Sequence, residues 1–278
     1  MRVLVLALND VFDTGLATIL DAFGTANELA SMSGLDSLHF EVTVVGTRRK
    51  VITSQGLRVP VVPVTVHPAP ELVIVPALGF KMPETLQPAL ARPEVNEAVQ
   101  ALRTWAVNGA VVAAACIGTF VLAESALLDD QEATTTWWLA PLFRQRYPKV
   151  RLDESRIIVS SNQVVTAGAA LSHLDMVLWL IRRASPELAA LTAKYLLIDA
   201  RPSQAAYMIP SHLAHADPIV ESFERWARRR LAKGFSLKAA ARATATSTRT
   251  LAGECTRCWE NHRSLIFRIC ALSAPYTC

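Results

Sequence analysis

The amino-acid sequence predicts an α/β protein in which a doubly wound, mostly parallel, flavodoxin-like sheet is followed by a small all-α helix-turn-helix domain at the C-terminus. Two observations support this prediction. Short apolar strands alternate with amphipathic helices through residues 1–198, as expected for repeated strand–helix–strand units. After residue 216, apolar residues recur only at helical spacing, and basic residues are concentrated there.

The composition is that of a globular protein with a large core. Of the 278 residues, 51% are hydrophobic and 19% are charged, and no apolar run is long enough to span a membrane. The apolar N-terminal stretch is interrupted by Asn9 and Asp10 and is not followed by a cleavage site, so it is not typical of a signal peptide. We therefore expect a cytoplasmic protein with reduced thiols and no membrane association.

The first part of the chain contains the predicted sheet and the helices that cover it. Apolar runs predict strands at 1–8, 40–45, 72–75 and 110–115, an edge hairpin at 51–53 and 59–66, and a second hairpin at 157–160 and 163–167. Helical spacing predicts one helix that begins near Asp13 and another that begins after Cys116. It also predicts a helix that ends at about 148 and helices at 94–108, 168–183 and 187–198.

The stretch 111–122 is predicted to form a strand–turn–helix junction at Cys116. An apolar strand leads through small residues to this cysteine, and a helical pattern resumes after Gly118. This is the geometry of a nucleophile elbow, in which a sharp turn presents one side chain in a crevice and the helix N-terminus favours a thiolate. The alternative is a small-residue junction that holds an inert, buried cysteine.

The other loops at the predicted carboxyl edge of the sheet are 10–15 and 76–79. Ligand sites in doubly wound folds lie outside the carboxyl ends of the strands. Because both loops and Cys116 fall there, the context favours the elbow over the inert junction.

The basic C-terminal region predicts a helix-turn-helix unit. Residues 217–252 carry a net charge of +5, whereas 1–198 sum to −2. A helix begins at Asp217 and Pro218, a short helix follows at 237–243, and Ser247 caps the next one. In this arrangement Ser247, Thr248 and Arg249 would lie near bases or phosphates of DNA. The alternative is a small helical bundle with a basic surface.

The chain resembles a known family, the AraC-type transcriptional regulators of the GlxA kind. The resemblance rests on A-A-C-I-G-T-F-V-L-A-E-S-A-L-L (114–128), A-T-T-T-W-W (133–138), D-A-R-P-S-Q-A-A-Y-M-I-P-S-H-L-A-H-A-D-P (199–218) and the helix-turn-helix stretch 235–251. It implies a sensor domain similar to PfpI-type peptidases and class I glutamine amidotransferases at 1–198, a linker at 199–216 and a partial AraC-type DNA-binding domain at 217–252. It also implies a homodimer and a small-molecule effector, of a class that includes amine- and amino-acid-derived compounds.

The sequence departs from the enzymatic relatives around Cys116. Trp137 stands where a histidine is expected, and an indole cannot accept a proton. The partner carboxylate also has no secure match, since Asp13 and Glu28 are only nearby in sequence. We therefore predict no catalysis and no cofactor. We predict instead a ligand crevice formed by Asp13, Leu78, Gly79, Cys116, Ile117 and Trp137, or a redox-sensitive thiol.

Two other functions remain open at this point. One is a Cys-dependent hydrolase or amidotransferase-like enzyme that uses Cys116. The other is a remnant that does not bind DNA and acts by dimerising with an intact paralogue. The histidines of the linker, His212 and His215, lack companion ligands at suitable spacing and are interpreted as solvated, so no metal site is predicted there.

The tail at 253–278 does not continue the family pattern and holds four of the five cysteines. Codons compatible with 253–270 allow the neighbouring frame to read R-V-H-A-V-L-G-K-P-P-L-S-Y-F-Q-D-L-R, which is what the family pattern requires next. This observation suggests a frameshift near codon 253, with DNA binding weakened as a result. A zinc site of Cys255, Cys258, His262 and Cys270 is the disfavoured alternative, because its first pair would interrupt the recognition helix.

Overall fold

A computed structural model of the chain describes residues 1–35, 38–64, 69–199, 201, 203–208, 218–230 and 234–261. The chain divides into two compact units, Met1–Ala206 and Tyr207–Cys278.

The first unit is built on a seven-stranded sheet with the order β10-β11-β7-β6-β1-β2-β5. Its neighbouring strands are parallel except for the antiparallel pair β10 and β11. The strands of this sheet are β1 (Arg2–Leu6), β2 (Glu41–Gly46), β5 (Val62–Pro63), β6 (Leu72–Val75), β7 (Val111–Ala115), β10 (Ile158–Ser161) and β11 (Val164–Ala167). The predicted mostly parallel sheet is therefore confirmed.

Two short strand pairs lie outside the main sheet. The strands β3 (Lys50–Ile52) and β4 (Arg58–Pro60) form an antiparallel pair where the first edge hairpin was predicted. The second arm is shorter than the predicted 59–66, because Val62–Pro63 pair with β2 in the main sheet instead. The strands β8 (Glu132–Ala133) and β9 (Arg151–Leu152) form a parallel pair that the sequence did not predict.

Helices cover both faces of the sheet, which makes the fold doubly wound. The helices of the first unit are α1 (Asp13–Met32), α2 (Pro83–Leu90), α3 (Pro93–Val107), α4 (Gly118–Glu124), α5 (Ala140–Arg146), α6 (Ser172–Ala184) and α7 (Pro186–Tyr195). Because successive side chains of a strand point to opposite faces, β1 contributes to two cores. Val3 and Val5 pack with Phe23 of α1, whereas Leu4 and Leu6 pack on the side of α3 and α4.

The second unit contains three described helices, α8 (Pro218–Arg228), α9 (Leu237–Ala243) and α10 (Thr248–Asn261). They bury a small core of Phe223, Ala227, Ala240, Ala241 and Leu251. The hydroxyl of Ser236 accepts a hydrogen bond from the N–H of Ala239, and that of Ser247 accepts one from the N–H of Thr250. Both serines thus cap their helices as predicted.

The last described helix extends beyond the predicted boundary of the partial domain. The predicted domain ends at residue 252, but α10 continues to Asn261. Residues 253–261 contain no proline, so each of them can donate the backbone N–H that extends an already nucleated helix. The remainder of the tail, 262–278, lies outside the described residues.

Part of the predicted linker is built into the first unit through Gln204, which is only 2% exposed. Its carboxamide oxygen accepts a hydrogen bond from the N–H of Ala169 at 2.9 Å. Its amide nitrogen donates to the carbonyl oxygens of Thr135 at 3.0 Å and Glu154 at 2.8 Å. The first unit therefore continues past the predicted boundary at 198, to Ala206. The two linker histidines, His212 and His215, lie outside the described residues.

Across the ranges that the structure describes, none of the helices is both long enough and apolar enough to cross a bilayer.

Replacing Gln204 by leucine is expected to lower the free energy of unfolding by about 2–5 kcal/mol, because several buried backbone groups lose their partner. The matched control is Gln145→Leu on the exposed side of α5, which we expect to change stability by about 0.5 kcal/mol or less. Urea unfolding followed by circular dichroism measures both. Equal effects of the two substitutions would contradict the role assigned to Gln204.

Candidate functional site

The strand–turn–helix junction predicted at Cys116 is present. The strand β7 ends at Ala115, Cys116 adopts a left-handed backbone conformation with φ of 55°, and α4 begins at Gly118. A side chain at Gly118 would overlap the carbonyl oxygens of Val75 and Pro76, so glycine is required for α4 to approach β6 this closely. A non-glycine residue in the left-handed region costs roughly 1–3 kcal/mol, and here the surrounding backbone enforces it.

The thiol of Cys116 lies in a buried environment. The residue is 4% exposed, and burial raises the pKa of its thiol above the ordinary value. The N–H groups of Ala170 and Ile117 and the hydroxyl of Thr136 act in the opposite direction, but burial outweighs them. The thiol is therefore protonated at neutral pH, which disfavours the thiolate expected of an activated elbow.

Backbone groups and one hydroxyl, rather than a base, surround the sulfur. Within the described part of the chain, neither a histidine nor a carboxylate is among the groups that shift the pKa of Cys116. The hydroxyl of Thr136 is fully buried and acts on the thiol as a hydrogen-bond donor. Among the described groups that act on the thiol, none is a base that could take its proton.

His173 on α6 is buried at the carboxyl edge of the sheet, and it was not among the residues predicted for the site. Its Nε2 accepts a hydrogen bond from the N–H of Ala77 at 3.0 Å, and its Nδ1–H donates to the carbonyl oxygen of Ala170. Burial lowers the pKa of His173 to about 4, so the ring is neutral. Because both ring nitrogens are engaged with backbone, this imidazole does not serve as a base for Cys116.

A sequence signal for His173 was present. The buried residues of α6 lie at helical spacing on one stripe, and position 173 continues that stripe toward the N-terminus. A histidine on a core stripe must satisfy two ring nitrogens inside the protein, which indicates a specific hydrogen-bonding role.

Two of the predicted ligand residues, Asp13 and Gly79, contact the turn at Ser54. The carboxylate of Asp13 accepts hydrogen bonds from the hydroxyl of Ser54 at 2.8 Å and from the N–H of Gln55 at 3.1 Å. Gly79 packs so closely on Ser54 that a larger residue would overlap it. Asp13 and Gly79 thus hold the turn in place, whereas Leu78 is 4% exposed and belongs to the same buried cluster as Cys116 and Ile117.

The charge of Asp13 is stabilised by that turn. Burial raises the pKa of its carboxyl group, but hydrogen bonds from Thr53, Ser54 and Gln55 outweigh this effect, and the pKa lies below the ordinary value. Asp13 is therefore ionised at neutral pH and occupied by internal donors.

The other three predicted ligand residues, Cys116, Ile117 and Trp137, belong to the elbow side of the edge. The hydroxyl of Thr135 donates to the carbonyl oxygen of Cys116 at 2.7 Å, which fixes the segment that carries Trp137. Trp137 is 8% exposed and packs edge-on against Trp138, with ring centroids 5.4 Å apart. That the six residues share one ligand crevice stays a prediction.

Phe12 and His173 both contact the backbone of Ala77. The N–H of Phe12 donates to the carbonyl oxygen of Ala77 at 2.7 Å, and its ring centroid is 6.3 Å from that of His173.

The predicted DNA-contacting residues lie at the start of α10. Ser247 is the capping residue, and Thr248 and Arg249 are both exposed in the first turn. Leu251 is fully buried in the core of the second unit, which fixes the orientation of this turn relative to α8 and α9.

The disfavoured zinc ligands are only partly described. Cys255 is half-buried in α10 and packs against the core of the second unit. The side chain of Cys258, and His262 and Cys270, fall outside what the structure describes. Within the described residues, no group of three or more metal-ligating side chains is assembled.

Comparison with known proteins adds a family match. The model of the DJ-1/PfpI family matches residues 1–183. The HTH-type transcriptional regulator CdhR of Pseudomonas aeruginosa is 32% identical over 128 residues, which is 45% of this chain and 35% of that protein. The match thus spans about a third of the length of the curated relative.

Solved structures share the fold of the first unit. An AraC family transcriptional regulator from Pseudomonas putida is 20% identical, with a TM-score of 0.58 over 70% of this chain and 98% of that one. A THiJ/PfpI family protein from Pseudomonas syringae is 16% identical, with a TM-score of 0.59 over 91% of this chain and 90% of that one. DJ-1 of Toxoplasma gondii, in an oxidized form, is 22% identical, with a TM-score of 0.55 over 72% of this chain and 99% of that one. At these identities the likeness concerns the fold alone.

The buried His173 predicts a specific pH dependence of stability. Its pKa is about 4 in the folded chain against 6.5 as the ordinary value, so the unfolded chain binds the proton more tightly. The contribution of His173 to the free energy of unfolding is therefore fully present above about pH 6.5. It falls as the pH drops toward 4, by about 3 kcal/mol.

The substitution His173→Gln is expected to flatten this decline, since glutamine does not titrate. Urea unfolding between pH 4 and 7.5 measures the difference, with His39→Gln as the control because His39 is exposed. An identical pH dependence in the unaltered chain and in His173→Gln would refute the assignment.

Proposed function

The chain belongs to the DJ-1/PfpI family, and from this premise we propose that it is a ligand-responsive, sequence-specific, DNA-binding transcriptional regulator. Its first unit acts as a non-catalytic sensor domain for a small-molecule effector, of a class that includes amine- and amino-acid-derived compounds. Its second unit binds DNA as part of a homodimer. The similarity of 128 residues to the regulator CdhR supports the regulatory class.

The observation that carries this proposal is the exposed first turn of α10. A serine-capped helix begins after a short turn, its N-terminal residues Thr248 and Arg249 face solvent, and Leu251 anchors it to the two preceding helices. A helix N-terminus with an arginine and a hydroxyl is suited to phosphate and base-edge contacts in the major groove. The exposed Arg229, Arg230 and Arg242 add positive charge to the same unit.

The environment of Cys116 supports a sensor rather than an enzyme. Burial holds the thiol protonated, and the nearby His173 is neutral and has both nitrogens engaged. A ligand that enters this edge would meet a buried thiol and, beside it, the buried hydroxyl of Thr136 that acts on that thiol. These groups recognise a ligand without reacting with it.

The second candidate function is a Cys-dependent hydrolase or amidotransferase-like enzyme. It is favoured by one observation, the left-handed backbone of Cys116 at a strand–helix junction. The protonated thiol and the lack of a base among its described neighbours favour the sensor.

The affinity of the chain for DNA is proposed to be weak. The resemblance implies two helix-turn-helix units in a complete domain, and the sequence from 253 onward does not continue the pattern of the second unit. A dimer with one reading helix per chain makes half the usual contacts. If binding is absent altogether, the chain would act through dimerisation with an intact paralogue.

Replacing Arg249 by alanine is expected to weaken binding to the upstream region of its own gene by about 5- to 150-fold, because a bidentate base contact contributes about 1–3 kcal/mol. Fluorescence anisotropy at fixed salt measures this loss. The control is Arg151→Ala on the exposed strand β9, which should leave the affinity unchanged. Equal affinities of Arg249→Ala and the unaltered chain would contradict this role of α10.

The reactivity of Cys116 separates the sensor from the enzyme. Its raised pKa predicts that iodoacetamide alkylates it at least about tenfold more slowly at pH 8 in the folded chain than in urea, with a rate that still rises above pH 9. Peptide mapping by mass spectrometry reads this residue separately from the other cysteines. A faster reaction in the folded chain that levels off below pH 7 would support the enzyme instead.

A further inference from the structure

A cavity of about 520 Å³ lies on the first unit, away from the elbow. It is enclosed by β10, α6, the end of α7 and the segment that follows. Its lining includes Arg156, Ile158, Asp175, Leu178, Trp179 and Arg182, and Cys116 is not among the lining residues. The volume is within the range of small-molecule sites, which is about 300–1,000 Å³.

The cavity uses a second stripe of α6. The residues at 175, 178, 179 and 182 have the spacing i, i+3, i+4 and i+7 and therefore share one side of the helix. The core of the sheet is contacted by a neighbouring stripe that includes Met176, Val177 and Ile181. One side of α6 thus packs on the core, and the neighbouring side lines the cavity.

An indole ring forms the apolar wall. Trp179 is half-buried, and the guanidinium of Arg183 lies 5.1 Å from its ring centroid, outside the residues that line the cavity. This contact restrains the indole. Leu178 and Ile158 extend the apolar surface beside it, so the wall suits a flat apolar group that stacks on the indole.

Two arginines supply positive charge at the rim. Asp175 forms an ion pair with Arg201, so these two lining charges neutralise each other. Arg156 and Arg182 are both exposed, and neither forms an ion pair with a residue in the described ranges. Asp199 also lines the cavity and carries one negative charge, so the rim retains a net positive charge.

We propose that this cavity binds a small organic anion with a flat apolar body, of the class of aromatic carboxylates. The body would stack on Trp179, and the carboxylate would accept hydrogen bonds from Arg156 and Arg182. Guanidinium groups are suited to this geometry because they donate two parallel hydrogen bonds to a carboxylate. Binding here does not depend on the DNA-binding function proposed above.

The position of the cavity connects it to the end of the first unit. Ile198, Asp199 and Arg201 lie shortly before the boundary at Ala206. A ligand that contacts them would stabilise this segment in the position that Asp175 already favours through Arg201.

The test is isothermal titration calorimetry of the full chain with indole-3-acetate. We expect a Kd below about 1 mM, and at least about tenfold weaker binding by the double variant R156Q/R182Q, because hydrogen bonds to a charged group are lost. The matched control is Arg151→Gln, an exposed arginine outside the cavity, which should bind as the unaltered chain does. Tryptophol, which has the same body without the charge, should bind at least about tenfold more weakly.

Three results of the titrations alone would overturn the proposal. They are the lack of binding at about 10 mM indole-3-acetate, equal affinity of the double variant, and equal affinity for tryptophol. Loss of binding on alkylation of Cys116 with no effect of R156Q/R182Q would place the ligand at the elbow and would also overturn it. DNA binding is measured separately, so failure of the regulator proposal leaves the result of the titration intact.

Discussion

Buried backbone groups at the ends of the central strands require hydrogen-bond partners, and one neutral imidazole supplies two of them. His173 accepts from Ala77 after β6 and donates to Ala170 before α6. Ala170 in turn directs its N–H toward the thiol of Cys116. The loops that contain Ala77, Ala170 and Cys116 therefore depend on the side chain of His173, which must stay neutral. Burial lowers the pKa of His173 enough to keep the ring neutral. A charged imidazole would need to donate from Nε2, where the N–H of Ala77 already points.

The fold could be predicted from the sequence because its signals are local. The apolar runs of β1, β6 and β7 and the periodicity of α1 and α6 each lie within one segment, and the topology follows from their alternation. The strand–helix junction at Cys116 was predictable for the same reason. The contacts of His173 and Gln204 join residues 96 and 69 positions apart, and the local sequence carries no mark of such partners.

The candidate crevice stays a prediction, but the structure shows what its residues contact. Asp13 and Gly79 are used internally to fix the turn at Ser54, a contact that the sequence alone did not reveal. The elbow retains the backbone geometry of a nucleophile site at Cys116, but burial favours its protonated form. Trp137, at the position where the resemblance leads us to expect a histidine, packs edge-on against Trp138. The backbone geometry of Cys116 is therefore typical of an enzyme nucleophile, whereas its protonated thiol favours a sensor. The protonation state of the thiol determines which chemistry is accessible.

The carboxamide of Gln204 has a practical consequence for dividing the protein. A fragment that ends where helical periodicity fades, near 198, would remove the amide that pairs with the backbone of three separate loops. Such a fragment would expose unpaired strand-end groups and would be prone to aggregate. A fragment that ends at Ala206 keeps the hydrogen bonds of Gln204. The segment after α7 thus completes the hydrogen bonding of the first unit.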